Sequence, residues 1–261
     1  MGLVDVEPVP RRTMVLFFIV DASTSMEGAK IGAVNDAISN VLPMIQEISD
    51  DNPEAEIKVA ILQFANGATW VYDKPLPAKD FTWLDILANG LTPMGEAFLE
   101  LNSKLSKDAY MKSASGSYAP AFILLSDGEP TDNYEYGLSV LLRNKWFMNG
   151  IRTAVAIGDD ANVDILTRFT GSKEAIFYVN QIEALRSVIR LIAVSSSTVG
   201  SEATCSGSKQ EKVIEKVKEE MDDTPVLVDP GVELFPEPGQ PQVEDDDKEF
   251  VLNDIVDSSW D

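Results

Sequence analysis

The sequence predicts an α/β fold with a doubly wound, mostly parallel sheet, helices on both faces and one antiparallel edge strand. Two observations support this prediction. Apolar runs of strand length alternate with helical patterns through the first 200 of the 261 residues. The runs are also apolar at consecutive positions, as expected of strands buried on both faces. In such folds, sites lie at the carboxyl ends of the strands.

The first part of the chain begins this alternation. Residues 13–20 form a continuous run rich in Val, Ile and Phe, which predicts a central strand. Residues 30–48 place apolar side chains three and four positions apart, the spacing of one helix face. Residues 56–64 predict the next strand, and residues 68–72 its antiparallel partner across the Asn66-Gly67 turn.

The second part continues the pattern. Residues 121–125, 151–157 and 175–179 predict three more strands. Helical spacing predicts the intervening helices over residues 95–105, 134–148, 163–169 and 182–194.

Composition excludes several classes of function. The chain has no His, which excludes His-based acid–base catalysis and His-ligated metals. Its single Cys excludes an intramolecular disulfide framework and a multi-Cys zinc site. A net charge of −22 argues against binding to nucleic acid or to an anionic membrane surface. Any bound metal therefore depends on oxygen ligands.

The acidic residues are concentrated near the end of the chain. Residues 201–261 contain 18 acidic and five basic residues, a net charge of −13. A Ser-rich stretch over residues 195–208 precedes this part, and five prolines lie between positions 225 and 241. We therefore expect an N-terminal extension over residues 1–10, a domain over residues 11–198 and an acidic tail over residues 199–261.

The tail carries two distinct patterns. Residues 210–222 predict a short amphipathic helix, which is marginal on its own. Residues 250–261 (FVLNDIVDSSWD) mix apolar side chains with acids. Two interpretations of this last segment stay open. It is either disordered, or a linear motif that docks on a partner or back on the first domain.

The chain shows no pattern of export or membrane insertion. Its first residues lack the charged and apolar order of a secretory signal, and residues 14–20 are too few to span a bilayer. We expect a cytoplasmic protein.

Polar side chains follow the predicted strands. Asp21, Ser23 and Ser25 come directly after the first strand, and Asp127-Gly128 follows the strand over residues 121–125. Thr92 lies between them, at the start of a predicted helix. Each alone fits a turn or a helix cap. Together they predict a site of hard oxygen ligands for Mg²⁺ or Mn²⁺, with a position left open.

This pattern resembles the metal-ion-dependent adhesion site (MIDAS) of von Willebrand factor A (VWA) domains, with all five positions present over roughly residues 11–195. The resemblance implies the Rossmann-like VWA fold. It also implies that Ser23, Ser25 and either Thr92 or an aspartate bind Mg²⁺ directly. A Glu or Asp of an acidic protein ligand would then complete the coordination.

Residues 90–95 and 125–132 resemble one branch of the family, the bacterial cytoplasmic proteins associated with tellurium resistance (TerY-like) and the YegL-like proteins. This branch implies a scaffold in a stress-response or phosphorylation system, beside a protein kinase and a PP2C-type phosphatase.

The function expected is a metal-dependent protein interaction module, not an enzyme. Two alternatives remain: a Mg²⁺-dependent phosphohydrolase, and an adaptor subunit of an AAA+ ATPase. Against the enzyme, the sequence contains neither G-x-x-x-x-G-K-[ST] nor G-x-G-x-x-G, the glycine-rich phosphate-binding patterns.

Overall fold

Among the residues that the structure describes, the central feature of the fold is an eight-stranded mixed sheet. The computed structural model describes residues 11–111, 115–158, 161–203, 207–222 and 232–233. In chain order, the strands are β1 (Arg12–Asp21), β2 (Ala55–Phe64), β3 (Ala68–Trp70), β4 (Leu76–Pro77), β5 (Ala121–Ser126), β6 (Ile151–Ile157), β7 (Ile176–Val179) and β8 (Val232–Glu233).

The sheet order is β3-β2-β1-β5-β6-β7-β8, and β4 also pairs with β2. Strands β2, β1, β5, β6 and β7 run parallel, which confirms the predicted doubly wound sheet. The antiparallel edge strand β3 is confirmed as well, and β4 and β8 add two short antiparallel strands. The chain passes from β1 to β2 on one side and later returns to β5 on the other, so the winding reverses beside β1.

Helices cover both faces of the sheet. They are α1 (Ala29–Asp51), α2 (Met94–Lys104), α3 (Tyr134–Leu141), α4 (Lys145–Met148), α5 (Val163–Thr170), α6 (Ile182–Gly200) and α7 (Lys209–Asp222). Helices α1, α6 and α7 share one hydrophobic core with the sheet, and α2 to α5 share the other.

Strand β1 contributes to both cores, which explains its unbroken apolar run. Its side chains alternate between the two faces of the sheet. Met14, Leu16, Phe18 and Val20 enter the core beneath α1 and α6, whereas Val15, Phe17 and Ile19 enter the core beneath α2. All seven side chains are fully buried, so a polar group at any of these seven positions would cost free energy unless it found a partner.

The single helix predicted over residues 134–148 is wrong. The structure has two helices, α3 and α4, with a turn between them. The side chain of Asn144 accepts a hydrogen bond from the backbone of Trp146 at 2.9 Å and so caps the start of α4. It also donates to Asn102 at 3.0 Å and to the carbonyl of Leu105. These three bonds favour a new helix start over a continuous helix.

The Ser-rich stretch used to place the domain boundary begins inside α6. Ser195, Ser196 and Ser197 are fully buried there, and α6 passes through residue 198, where we expected the domain boundary. The helix predicted over residues 210–222 is confirmed as α7. It packs on the same core through Val213 and Val217. The tertiary contacts, not the sequence of α7 alone, therefore stabilise this helix.

Several expectations concern residues that the structure does not describe. The extension over residues 1–10 and the mixed segment over residues 250–261 lie outside the described ranges. Among the described helices, none is both long enough and apolar enough to cross a bilayer.

Helices α2 and α3 approach each other closely at two glycines. A side chain at Gly137 would collide with the backbone of Gly95, whereas one at Gly32 on α1 would meet no atom within 4 Å. We expect Gly137→Ala to lower the free energy of unfolding by about 1–3 kcal/mol. The control Gly32→Ala should raise it by about 0.5–1 kcal/mol, because alanine favours a helix. Urea denaturation of both variants measures the difference, and equal effects would contradict the close packing of α2 and α3.

Candidate metal centre

The predicted site residues meet at the carboxyl ends of β1 and β5, where the winding of the sheet reverses. Asp21 is the last residue of β1, and Asp127 follows the last residue of β5. Asp21, Ser23 and Asp127 are at most 2% exposed, whereas Ser25 is exposed. The cluster therefore has buried carboxylates at its base and a hydroxyl at the surface.

Side-chain hydrogen bonds connect four of the five predicted residues. The hydroxyls of Ser23 and Ser25 lie 2.9 Å apart, and Ser25 Oγ donates to Asp127 Oδ1 at 2.7 Å. The backbone N–H of Ser23 donates to Asp21 Oδ1 at 2.9 Å. This last bond orients the Asp21 carboxylate toward the loop that carries both serines.

Thr92 reaches the site through its loop. Its backbone exchanges two hydrogen bonds with Thr131, at 3.0 Å and 2.9 Å. Gly90, two residues earlier, exchanges two bonds with Thr24. These contacts hold the Thr92 loop beside the two loops that carry the other four residues. Thr92 is 6% exposed and therefore buried.

The oxygen atoms fit a small divalent cation. In an octahedral Mg²⁺ site with ligands about 2.1 Å from the ion, neighbouring oxygens lie about 3 Å apart. The separations of 2.9 Å between the serine hydroxyls and 2.7 Å between Ser25 and Asp127 are close to this value. Within the described ranges, no three His, Cys, Asp or Glu side chains gather as metal ligands. Hydroxyls would therefore supply much of the coordination.

Burial makes Asp21 a carboxylate that favours a nearby positive charge. Desolvation raises the pKa of Asp21, the charge of Asp127 raises it further, and hydrogen bonds from Ser23 and Ser126 oppose the shift. Ser126 Oγ donates to Asp21 Oδ2 at 2.7 Å. Ser126 has no predicted role from the sequence, although it directly precedes Asp127.

Lys30 is the second residue that the sequence analysis missed. Its Nζ lies 2.5 Å from Asp127 Oδ2, and its side chain is 33% exposed. It is the first basic residue after Asp21 and lies in the first turn of α1. That position was the available signal, because the start of α1 follows directly on the serine loop. Lys30 places a positive charge where a metal ion would otherwise balance Asp127.

Asp132 fixes the start of α2 beside Thr92. Its two carboxylate oxygens accept hydrogen bonds from the backbone of Gly95 and Glu96, both at 2.9 Å. These N–H groups belong to the first turn of the helix and have no partner within it. The loop after β5 therefore supplies both a candidate ligand, Asp127, and the cap that holds the Thr92 loop in place.

Comparison with known proteins gives the family. The model of the von Willebrand factor type A domain matches residues 16–191. A search of curated proteins gave no significant match. Similar solved structures include a von Willebrand factor type A protein from Catenulispora acidiphila, with a TM-score of 0.53 and 19% identity over 71% of this chain and 43% of the other.

Two further structures share the fold. Proximal thread matrix protein 1 from the mussel byssus, with a zinc-occupied MIDAS motif, has a TM-score of 0.54 and 12% identity over 72% of this chain and 49% of the other. The pilus adhesin SpaC from Lactobacillus rhamnosus GG has a TM-score of 0.56 and 16% identity over 73% and 30%. This chain spans less than half of each structure. The matched residues run from β1 into α6 and so include the strands beside which the winding of the sheet reverses. The chain therefore belongs to the von Willebrand factor type A domain family.

Proposed function

We propose that this VWA domain binds a protein ligand through Mg²⁺ or Mn²⁺ held by Asp21, Ser23, Ser25, Thr92 and Asp127. The observation that carries the proposal is the chain of oxygens from Ser23 through Ser25 to Asp127, spaced as neighbouring ligands of a small cation. The zinc-occupied MIDAS motif of the mussel protein supports metal binding in this fold, and the pilus adhesin supports a role in attachment.

Each residue has a distinct part in this proposal. The hydroxyls of Ser23 and Ser25, with either Thr92 or an aspartate, would hold the ion directly. The remaining residues would act through water. With few charged ligands, a bound divalent cation would supply an electrophilic position for a carboxylate of an acidic protein ligand. Ser126 and Lys30 would keep the two aspartates oriented before the ion binds.

Binding without turnover fits the site better than hydrolysis. Asp21 accepts bonds from Ser23 and Ser126, and Asp127 accepts bonds from Ser25 and Lys30, so each carboxylate has both oxygens engaged. In the proposed site both carboxylates are assigned to the ion, directly or through water, which leaves neither of them as a general base for hydrolysis. We therefore propose an interaction module in preference to a phosphohydrolase.

The wider setting is proposed from the resemblance to the tellurium-resistance-associated and YegL-like branch. We propose a cytoplasmic scaffold in a bacterial stress-response or signalling system, with a protein kinase and a PP2C-type phosphatase as candidate partners. The net charge of −22 disfavours nucleic acid and anionic membranes as ligands. An adaptor role with an AAA+ ATPase is the alternative. Identifying the proteins that bind this chain in Mg²⁺ but not in EDTA would separate the scaffold from the adaptor.

Removing one hydroxyl from the site tests the metal ligands. We expect Ser25→Ala to weaken Mg²⁺ binding at least about tenfold, because the ion loses one neutral oxygen ligand. Calorimetric titration of the full chain measures the affinity. The control Ser39→Ala removes an exposed hydroxyl from α1, away from the site, and should leave the affinity unchanged. Equal affinities in both variants would contradict the assignment, and Asp21→Asn provides a second test at the buried base of the site.

Removing the positive charge of Lys30 should have the opposite effect on metal binding. We expect Lys30→Met to raise the Mg²⁺ affinity by about tenfold, because the ammonium repels the ion and competes for Asp127. In EDTA the same variant should lose about 1–3 kcal/mol of stability, since Asp127 loses a charged hydrogen-bond donor.

The matched control is Lys58→Met, which removes an ammonium 3.3 Å from Glu56 on β2. It should change neither the Mg²⁺ affinity nor the difference in stability between Mg²⁺ and EDTA. If Lys30→Met and Lys58→Met behave alike in thermal unfolding and calorimetry, Lys30 does not compete with the ion.

A further inference from the structure

An exposed apolar loop lies beside the candidate metal centre. Residues 84–91, called the leucine loop below, have no regular secondary structure. Leu84, Leu87 and Leu91 are 72%, 82% and 63% exposed, and Leu91 directly precedes Thr92. Single exposed leucines are ordinary on a protein surface, but a cluster next to a ligand site is typical of an interaction surface.

The backbone of the leucine loop is held in place on both sides of Leu87. The side chain of Asn35 on α1 exchanges two hydrogen bonds with the backbone of Ile86, at 2.9 Å and 3.0 Å. Asn89 N donates to the carbonyl of Ala22 at 2.7 Å. Ile86 is 3% exposed, so the loop buries one apolar side chain and displays the next. Leu87 is therefore exposed even though hydrogen bonds hold the backbone on both sides of it.

The chemistry of this surface indicates which kind of segment would bind it. An open metal position favours a carboxylate, and the leucines favour apolar side chains next to that carboxylate. Residues 250–261 of the same chain combine both properties within one short segment. Its apolar and acidic side chains are Phe250, Val251, Leu252, Asp254, Ile255, Val256, Asp257, Trp260 and Asp261.

The segment can reach the leucine loop from the last described strand. β8 pairs with β7, and Val232 lies opposite Val179, the last residue of β7, near the carboxyl edge of the sheet. Four strand spacings separate β8 from β1, about 19 Å at 4.8 Å each. The 16 residues from 234 to 249 span up to about 53 Å when extended. A tether of this length gives an effective concentration on the order of millimolar.

We infer that residues 250–261 dock on the leucine loop of their own chain, with one of their carboxylates at the open metal position. This inference rests on the proposed metal-dependent function. The docked segment covers Leu87 and Leu91 and occupies the position that a partner's carboxylate needs. A partner must therefore displace the docked segment. Only a partner that competes successfully with the tail can then bind the metal centre.

Fluorine NMR of the full chain labelled with 5-fluorotryptophan tests the inference. The chain contains four Trp, and Trp260→Phe assigns the signal of Trp260. In Mg²⁺ we expect this signal to be shifted away from that of a solvent-exposed Trp, at a position independent of protein concentration. Leu87→Ser combined with Leu91→Ser should return it to the solvent-exposed position, as should EDTA. Leu99→Ser, at an exposed leucine on α2, is the matched control and should not move it.

Each other outcome overturns the inference in a recognisable way. A Trp260 signal at the solvent-exposed position in Mg²⁺ shows that the segment does not dock. A shift that grows with protein concentration shows docking on a second copy. A shifted signal that stays unchanged in the Leu87→Ser, Leu91→Ser double variant shows that the segment docks elsewhere. Calorimetry with Mg²⁺ on the same samples separates these results from failure of the proposed function, in which the ion itself does not bind. The signals of Trp70 and Trp146 report whether each variant is folded.

Discussion

The burial of β1 on both faces is the constraint on which the rest of the structure depends. Alternate side chains of this strand enter two separate cores, so neither face can shift without disturbing the other. The strand lies where the winding of the sheet reverses, between β2 and β5. Its last residue, Asp21, lies at the crevice that forms there. The packing of the sheet thus determines where this buried carboxylate must lie, in the crevice that holds the candidate metal centre.

The candidate centre depends more on hydroxyls and loop contacts than on acidic residues. Two aspartates form its base, and the serines connect them through short hydrogen bonds. The Thr92 loop is held from both sides, by Thr24 in the first loop and by Thr131 in the loop after β5. Three separate stretches of chain therefore form one rigid rim before any ligand arrives, which lowers the entropic cost of binding.

The fold class, and the location of the candidate residues at the strand ends, could be predicted from the sequence because both follow from local patterns. The apolar run of β1 and the alternation of strands and helices indicate the sheet directly, and residues after strand ends must lie at one edge. Ser126 and Asp132 could not be assigned in this way, and for Lys30 the only local signal was its place at the start of a predicted helix. Their roles depend on contacts across the sheet or between loops, such as that of Lys30 with Asp127, which no periodicity encodes. Asn144 was missed for a similar reason, since it interrupts an otherwise helical pattern by bonding to α2 and α4.

The contribution of α7 to one core has a consequence for synthesis of the chain. In sequence order, the last fully buried residue of the core beneath α2 to α5 is Ile176. The core beneath α1 and α6 also contains Val213, Val217 and Met221, which come later in the chain. Domains fold as their residues emerge from the ribosome, N-terminal parts first. All residues of one core are therefore synthesised before the last residues of the other. Until α7 is made, the face that carries α1 and α6 lacks part of its core and exposes apolar surface.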